Sequence, residues 1–162
     1  MPRVYVSIGS NIDREANIRG AVRMLREHYG PLTLSRVYET PAEGFNGDAF
    51  YNLAAAFDTE ESVDQLRAVR AAIEASHGRQ RGGPRHGPRT LDLDILLYGD
   101  LVRHDDGLDI PRGEIVKYAF VLGPLAEIAP DLRHPETGMT LARIWENFTG
   151  RRELRPVDLT FD

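Results

Sequence analysis

Cysteine is absent from all 162 residues, which removes disulfides, thiolate metal sites and a thiol nucleophile together. The absence fits a reducing compartment. Long apolar runs are missing as well. No stretch approaches the length of a membrane span, and Met1-Pro2-Arg3-Val4-Tyr5-Val6 holds no extended apolar region of the signal-peptide kind. A cytoplasmic protein with no membrane partner is the default expectation. A positive overall balance is also lacking. With a formal charge of −5 the basic residues are local, which argues against a general nucleic-acid or membrane-surface binder. No repeat, low-complexity tract or linker interrupts the chain, so 1–162 is expected to be one domain with a self-sufficient core. Nothing in the sequence demands a partner chain, and a monomer is expected.

Against these absences stands Gly87-Pro88-Arg89-Thr90-Leu91-Asp92-Leu93-Asp94-Ile95-Leu96-Leu97-Tyr98. From Leu91 onward apolar and acidic residues alternate, and a strand sends successive side chains to opposite faces. Asp92 and Asp94 therefore share one face, while Leu91, Leu93 and Ile95 share the other. Two like charges side by side are costly unless something positive sits between them. Mg2+ is commonly held by one or two carboxylates together with substrate phosphates. Upstream lie Arg79, Arg81, Arg85 and Arg89, whose planar forks suit phosphate oxygens. An Asp-x-Asp alone reads as a solvated strand face, and an arginine-rich loop alone as a surface feature. Joined in one segment, they supply the parts of a phosphoryl-type transfer site.

In chain order, Val4 to Gly9 reads as a buried strand closed by glycine. Ser10-Asn11-Ile12-Asp13 offers capping side chains for a helix from about Arg14 to Tyr29, with Ile18, Ala21, Val22 and Leu25 as its apolar stripe. Gly30-Pro31 ends it. Leu32 to Glu39 is a second strand, Thr40 to Asp48 a loop, and Phe50 to Phe57 a third strand. Asn52 is the odd residue there, since asparagine is depleted from strands. Its amide can donate to and accept from a heterocycle's edge, or simply tie off a loop carbonyl. Glu61 to His77 is a second helix, with Ser62 and Gln65 at capping-box spacing. Glu74 is unfavourable beside that helix's negative pole. It would suit a ligand or the arginine loop, or else be an ordinary solvated glutamate.

Gly78 to Pro88, dense in glycine and proline, should be mobile when unoccupied; His86 within it has no second histidine at metal spacing. After the acidic strand, Tyr98 to Leu101 reads as a hairpin turn with short edge strands at Leu101-Val102 and Leu108-Asp109-Ile110. Pro111 to Glu114 is a second turn. The run from Ile115 to Pro130 reads as irregular helix interrupted by prolines. Leu141 to Trp145 is one more short helix, and the tail beyond Phe148 is weakly patterned. Strand, helix, strand, strand, helix, strand is the α+β plan of a split βαβ (ferredoxin-like) antiparallel sheet, with helices on one face. Loops or a ligand must cover the other, active-site face, where Asp92 and Asp94 should point.

The chain resembles the 6-hydroxymethyl-7,8-dihydropterin pyrophosphokinase family from Tyr5 to about Ile144. The resemblance is carried by Ser7-Ile8-Gly9-Ser10-Asn11, Tyr38-Glu39-Thr40-Pro41, Phe50-Tyr51-Asn52, and above all Gly87 to Ile95. Phe120-Val121-Leu122 and Pro124 to Pro130 add to it. The likeness implies transfer of the β,γ-pyrophosphoryl unit of ATP to a reduced pterin's hydroxymethyl group in folate biosynthesis, releasing AMP. Asp92 and Asp94 would hold two Mg2+ ions, with Asp92 also beside the substrate. Arg79 and Arg89 would clamp the phosphates, helped by Arg81 and Arg85. Thr40, Pro41 and Asn52 would read the pterin edge, and Phe50 and Phe120 would flank its ring. Glu74, Ile95, Arg112, Lys117 and Tyr118 fall at nucleotide-side positions.

Three departures lie on that nucleotide side: Arg112 where the family often has histidine, Tyr118 where arginine is frequent, and His86 where tryptophan is frequent. Arg112 keeps a positive donor but cannot titrate. Lys117 could replace an arginine's charge though not its fork. These changes motivate two alternatives, a non-catalytic pterin- or nucleotide-binding homologue and a pyrophosphokinase for a related pterin.

Overall fold

The computed structural model describes residues 1–41, 48–78, 91–150 and 152–161. Among the described residues six strands form one antiparallel sheet: β1 (Arg3–Ser10), β2 (Thr33–Leu34), β3 (Val37–Thr40), β4 (Phe50–Asp58), β5 (Asp92–Tyr98) and β6 (Arg155–Val157). The order is β5-β1-β4-β3-β6, with β2 paired to β4 beside β3. Helices α1 (Arg14–Tyr29) and α2 (Val63–Ser76) cross between strands. Val4, Val6, Ile8, Phe57, Leu93 and Ile95 meet Ile18, Val22, Leu25, Leu66 and Ile73 in the larger core, so both helices lie on one face. The split βαβ plan holds.

Local chemistry accounts for the boundaries. Helix α2 starts at a complete capping box: Ser62 Oγ accepts the Gln65 N–H at 3.2 Å and Gln65 Oε1 accepts the Ser62 N–H at 2.8 Å. Helix α1 runs over the expected residues, but its cap differs from the expectation. Asp13 sits in the left-handed region at φ 44° and makes no side-chain cap. Ser10 Oγ and Asn17 Nδ2 instead both donate to the Ile12 carbonyl, tying the turn to the helix. The second strand divides into β2 and β3 because Ser35 intervenes. Its N–H donates to the Ala54 carbonyl, and its Oγ accepts the Ala54 N–H, replacing a backbone partner in the ladder.

The second face is more covered than loops alone would achieve. Helix α3 (Ala119–Ile128) holds Pro124 in its interior, and α4 (Leu141–Glu146) follows. They bury Tyr5, Ala56, Leu96 and Leu97 under Val121, Leu122, Leu125 and Leu141. A bulge makes this possible. Tyr5 pairs with Leu97 and Val6 with Ile95, leaving Leu96 as an extra residue. Leu96 and Leu97 both enter the second core, and Tyr98 returns to the helix side. The expected edge strands after β5 reduce to one bridge, Arg103 with Ile110. The weakly patterned tail is not loose: β6 pairs with β3, and Leu159 and Phe161 pack on the first core. Backbone pairing needs no hydrophobic pattern, so sequence periodicity misses it.

One buried titratable group gives this fold a pH dependence. His134 is 5% exposed, and its Nδ1 accepts the N–H groups of Glu136 and Thr137 at 3.2 and 3.3 Å. Burial lowers its pKa, with the Glu136 charge pulling the other way. The unfolded imidazole takes a proton near pH 6.5, about where histidine titrates in water, while the folded one resists. This contribution is complete above that pH and is lost as pH falls below it. In denaturant unfolding, stability should fall from about pH 7 to about pH 5. His134→Asn, which keeps an acceptor but cannot titrate, should flatten part of that fall. Equal slopes for the two proteins would refute the assignment.

Candidate active site

Strand β1 lies between β4 and β5, and its register assembles the site. Gly9 pairs with Asn52 on one side and Asp92 on the other, and Asn52 pairs in turn with Tyr38. Paired residues in an antiparallel sheet share a face. Asp92, Gly9, Asn52 and Tyr38 therefore form one row, and Asp94, Ser7 and Ala54 the next. Thr40, paired with Phe50, continues the same face on β3 and β4. Along its length this face changes character. The end at Tyr5, Ala56 and Leu97 is apolar and sealed by α3 and α4, while the end at Ser7, Gly9, Asn52, Asp92 and Asp94 is polar.

The asparagine is held, not loosely placed. Asn52 is 5% exposed and Thr40 3%, and Asn52 Nδ2 donates to Thr40 Oγ1 at 2.6 Å. A Cβ on Gly9 would stand 2.6 Å from Asn52 Oδ1, so only glycine leaves room for that amide across the strand. Gly9 was readable in the sequence only as a strand end. Its signal is a glycine inside a strand that otherwise favours β-branched residues. Tyr38 closes the row, donating its hydroxyl to Glu127 on α3 while Arg36 N–H donates to the other carboxylate oxygen at 2.9 Å. Burial and this carboxylate push the Tyr38 pKa up to about 12. Tyr38 and Glu127 thus fasten α3 to β3, a pairing that neither residue type announced.

At the other end of the rows, Asp92 and Asp94 project from β5 as alternation requires, and Leu91, Leu93 and Ile95 lie buried on the helix side. Two carboxylates about 7 Å apart along one strand suit hard cations with oxygen ligands. Among the described residues no group of three or more His, Asp or Glu side chains gathers to hold a metal. A magnesium ion sharing its shell with substrate phosphates does not need a third such ligand, so the pair fits. Arg112 reaches this group: its Nη2 is 3.7 Å from Asp94 Oδ1 and 2.5 Å from Glu114 Oε1. Burial opposes its charge, but Asp94 and Glu114 outweigh that and hold its pKa above the ordinary arginine value.

The remaining positions divide. Phe120 packs half-buried on the second-face core and stacks with Tyr118, ring centroids 5.0 Å apart, and Lys117 Nζ lies 5.3 Å from the Tyr118 ring. Pro41 directly follows β3. Ile95 is 7% exposed within the helix-side core, so its side chain does not share the aspartate face. Glu74 is not a solvated glutamate. At 2% exposure it accepts the Leu93 N–H at 2.9 Å, and Arg70 supports it at 3.4 Å. It thereby holds the outer edge of β5 between the two aspartates, which explains the acid at a helix C-terminus. Arg79, Arg81, Arg85, His86 and Arg89 lie outside the described residues, as does the loop expected to be mobile beyond Gly78.

Comparison with known proteins comes to the same place. The sequence profile described as 7,8-dihydro-6-hydroxymethylpterin-pyrophosphokinase (HPPK) matches residues 5–130. A 2-amino-4-hydroxy-6-hydroxymethyldihydropteridine pyrophosphokinase from Methylorubrum extorquens is 43% identical over 136 residues, covering 82% of this chain and 85% of its own. The Bacillus subtilis protein of that name is 36% identical, covering 90% and 92%. Among solved structures, Plasmodium falciparum HPPK-DHPS A437G with STZ-DHP superposes with TM-score 0.74 at 13% identity, over 91% of this chain and 45% of that one. That likeness shows the fold, and the chain spans under half the length of that HPPK-DHPS chain.

Two substitutions test the geometry. Gly9→Ala should displace the Asn52 amide from Thr40 and cost about 1–3 kcal/mol, as overpacking does. Chemical denaturation reads the cost, and an unchanged midpoint would contradict the close approach. Glu74→Ala should cost about 1–3 kcal/mol by leaving a buried donor unsatisfied. Faster exchange of the Leu93 amide proton would locate that loss on β5, and unchanged exchange would remove Glu74 from the strand edge.

Proposed function

The chain belongs to the 7,8-dihydro-6-hydroxymethylpterin-pyrophosphokinase family, and from that premise we propose that it transfers pyrophosphate from Mg-ATP to 6-hydroxymethyl-7,8-dihydropterin, giving the pterin diphosphate and AMP in folate biosynthesis. One observation carries the reading: Asp92, Gly9 and Asn52 occupy one cross-strand row. With strands about 4.8 Å apart, the amide and the nearer carboxylate stand about 10 Å apart across the sheet. That span suits a bicyclic ring read at one end and a hydroxymethyl group presented at the other.

In this reading Asn52 and Thr40, with the Pro41 backbone, recognise the pterin edge, and Phe50 and Phe120 flank the ring. Asp92, in the same row, orients the hydroxymethyl oxygen, and Asp92 with Asp94 would hold two magnesium ions. Bound there, the metal would neutralise charge on the phosphates. Arg112, Lys117 and Tyr118 line the nucleotide side. The Ile95 side chain faces the helix side of β5, and Glu74 supports at its outer edge the strand that carries the metal ligands. Arg79, Arg81, Arg85 and Arg89 supply further phosphate contacts. The acceptor oxygen attacks the β-phosphorus, the bond from that phosphorus to the α,β-bridging oxygen breaks, AMP leaves and the hydroxyl proton is released. No covalent intermediate on the protein is required, so catalysis rests on positioning and electrostatics. One domain, acting as a monomer in the cytoplasm, is sufficient.

The test is AMP release from Mg-ATP with and without the pterin. Pterin-dependent AMP is the expected product. ADP in its place would make this an ordinary kinase, and neither product would remove the assignment. Asp94→Ala should lower turnover about a hundredfold or more, as loss of an electrostatic stabiliser does. Near-normal turnover in that variant would dismiss the carboxylate pair.

A further inference from the structure

Arg112 stands beside Asp94, one of the two carboxylates read as cation ligands. Its guanidinium lies 3.7 Å from Asp94 Oδ1 and 2.5 Å from Glu114 Oε1, and all three side chains are about 30% exposed (32%, 29% and 28%). It is not placed by chance. The Arg112 N–H donates to the Leu96 carbonyl on β5 at 3.0 Å, and the Gly113 N–H donates to Asp109 Oδ2 at 3.0 Å. Asp109 is fixed from its other oxygen by His104 Nδ1 at 2.6 Å. Residues 109–114 are thus moored along the outer edge of β5, which sets the guanidinium over the aspartate face. Asp94, Glu114 and Asp109 all act on its charge.

A guanidinium cannot lose its proton at any physiological pH, so it can stop competing for a carboxylate only by moving away. A divalent cation on Asp94 would meet this positive charge within a few ångströms. The closer partner, Glu114, gives the side chain somewhere to stay once Asp94 is taken. A nucleotide phosphate offers a second acceptor of matching fork geometry.

We propose that Arg112 is a tethered counter-ion of Asp94, displaced when a divalent cation is bound and transferred to a nucleotide phosphate, so that cation and nucleotide bind cooperatively. This rests on the reading of Asp92 and Asp94 as the cation ligands. Arg112 is a positioning residue in this scheme: it offsets the Asp94 charge in the empty protein and makes cation binding without nucleotide weak. Coupling of this kind is reciprocal, so the cation strengthens nucleotide binding by the factor that the nucleotide strengthens cation binding.

The experiment is Mn2+ binding to the intact chain without nucleotide, read as free Mn2+ by electron paramagnetic resonance. Arg112→Gln should tighten binding roughly two- to fivefold, the scale of a partly exposed ion pair. Arg112→Lys, which keeps the charge, should stay within about twofold of the unaltered protein. Asp94→Asn should abolish binding. If Asp94→Asn abolishes it and Arg112→Gln leaves it unchanged, the counter-ion role is overturned and the metal ligands stand. If Asp94→Asn binds as well as the unaltered chain, the metal reading itself fails. A second measurement needs no variant: the Arg112 Nε–H resonance of the unaltered protein should shift on adding Mg2+ alone. No shift would overturn the proposal even if Arg112→Gln did not fold.

Discussion

Strand β1 is hydrogen-bonded to β4 on one side and β5 on the other, and everything at the candidate site depends on that double register. It places Gly9 between Asn52 and Asp92, and Ser7 between Ala54 and Asp94. A slip of one residue would turn both aspartates into the helix-side core, because strand side chains alternate with period two. The apolar partners of that alternation, Leu91, Leu93 and Ile95, make such a slip costly. Burial on one face thus enforces the chemistry on the other.

The second face is divided by the same logic. Its apolar end is covered by α3 and α4, and the bulge at Leu96 supplies that end with one more large side chain. The polar end carries groups whose burial would cost several kcal/mol unless paired, as the Asn52–Thr40 bond illustrates. Helix α3 is tied back to β3 by Glu127, so the cover stays at its own end. The outer edge of β5 is closed differently, by a buried carboxylate at Leu93 and by the Arg112 N–H at Leu96. An edge strand with both kinds of backbone group engaged makes a firm base for two acidic side chains.

Much of this was legible beforehand. The bounds of α1, the capping box of α2, the alternation from Leu91 to Ile95 and the order of elements follow from local periodicity and turn chemistry, and the structure repeats them. The family resemblance and its motifs were also readable, and the comparisons bear it out. The misses each have a physical cause outside hydrophobic periodicity. Asp13 takes a left-handed conformation because neighbouring side chains, not its own, secure the turn. Glu74 was ambiguous because its partner, the Leu93 N–H, is nineteen residues away. The tail carries no pattern because β6 is held by backbone pairing to β3.

By itself, then, the sequence determined which residues alternate from Leu91 to Ile95, where α1 begins and ends, and that carboxylates and arginines share one segment. These are local properties, set by dihedral preference, side-chain period and composition over a few residues. Only the tertiary structure decided that Gly9 makes room for Asn52, that Glu74 supports β5, and that Arg112 stands over Asp94. Each joins atoms distant along the chain. Their contact depends on strand register and on the packing of the elements that carry them, which no short window of sequence encodes.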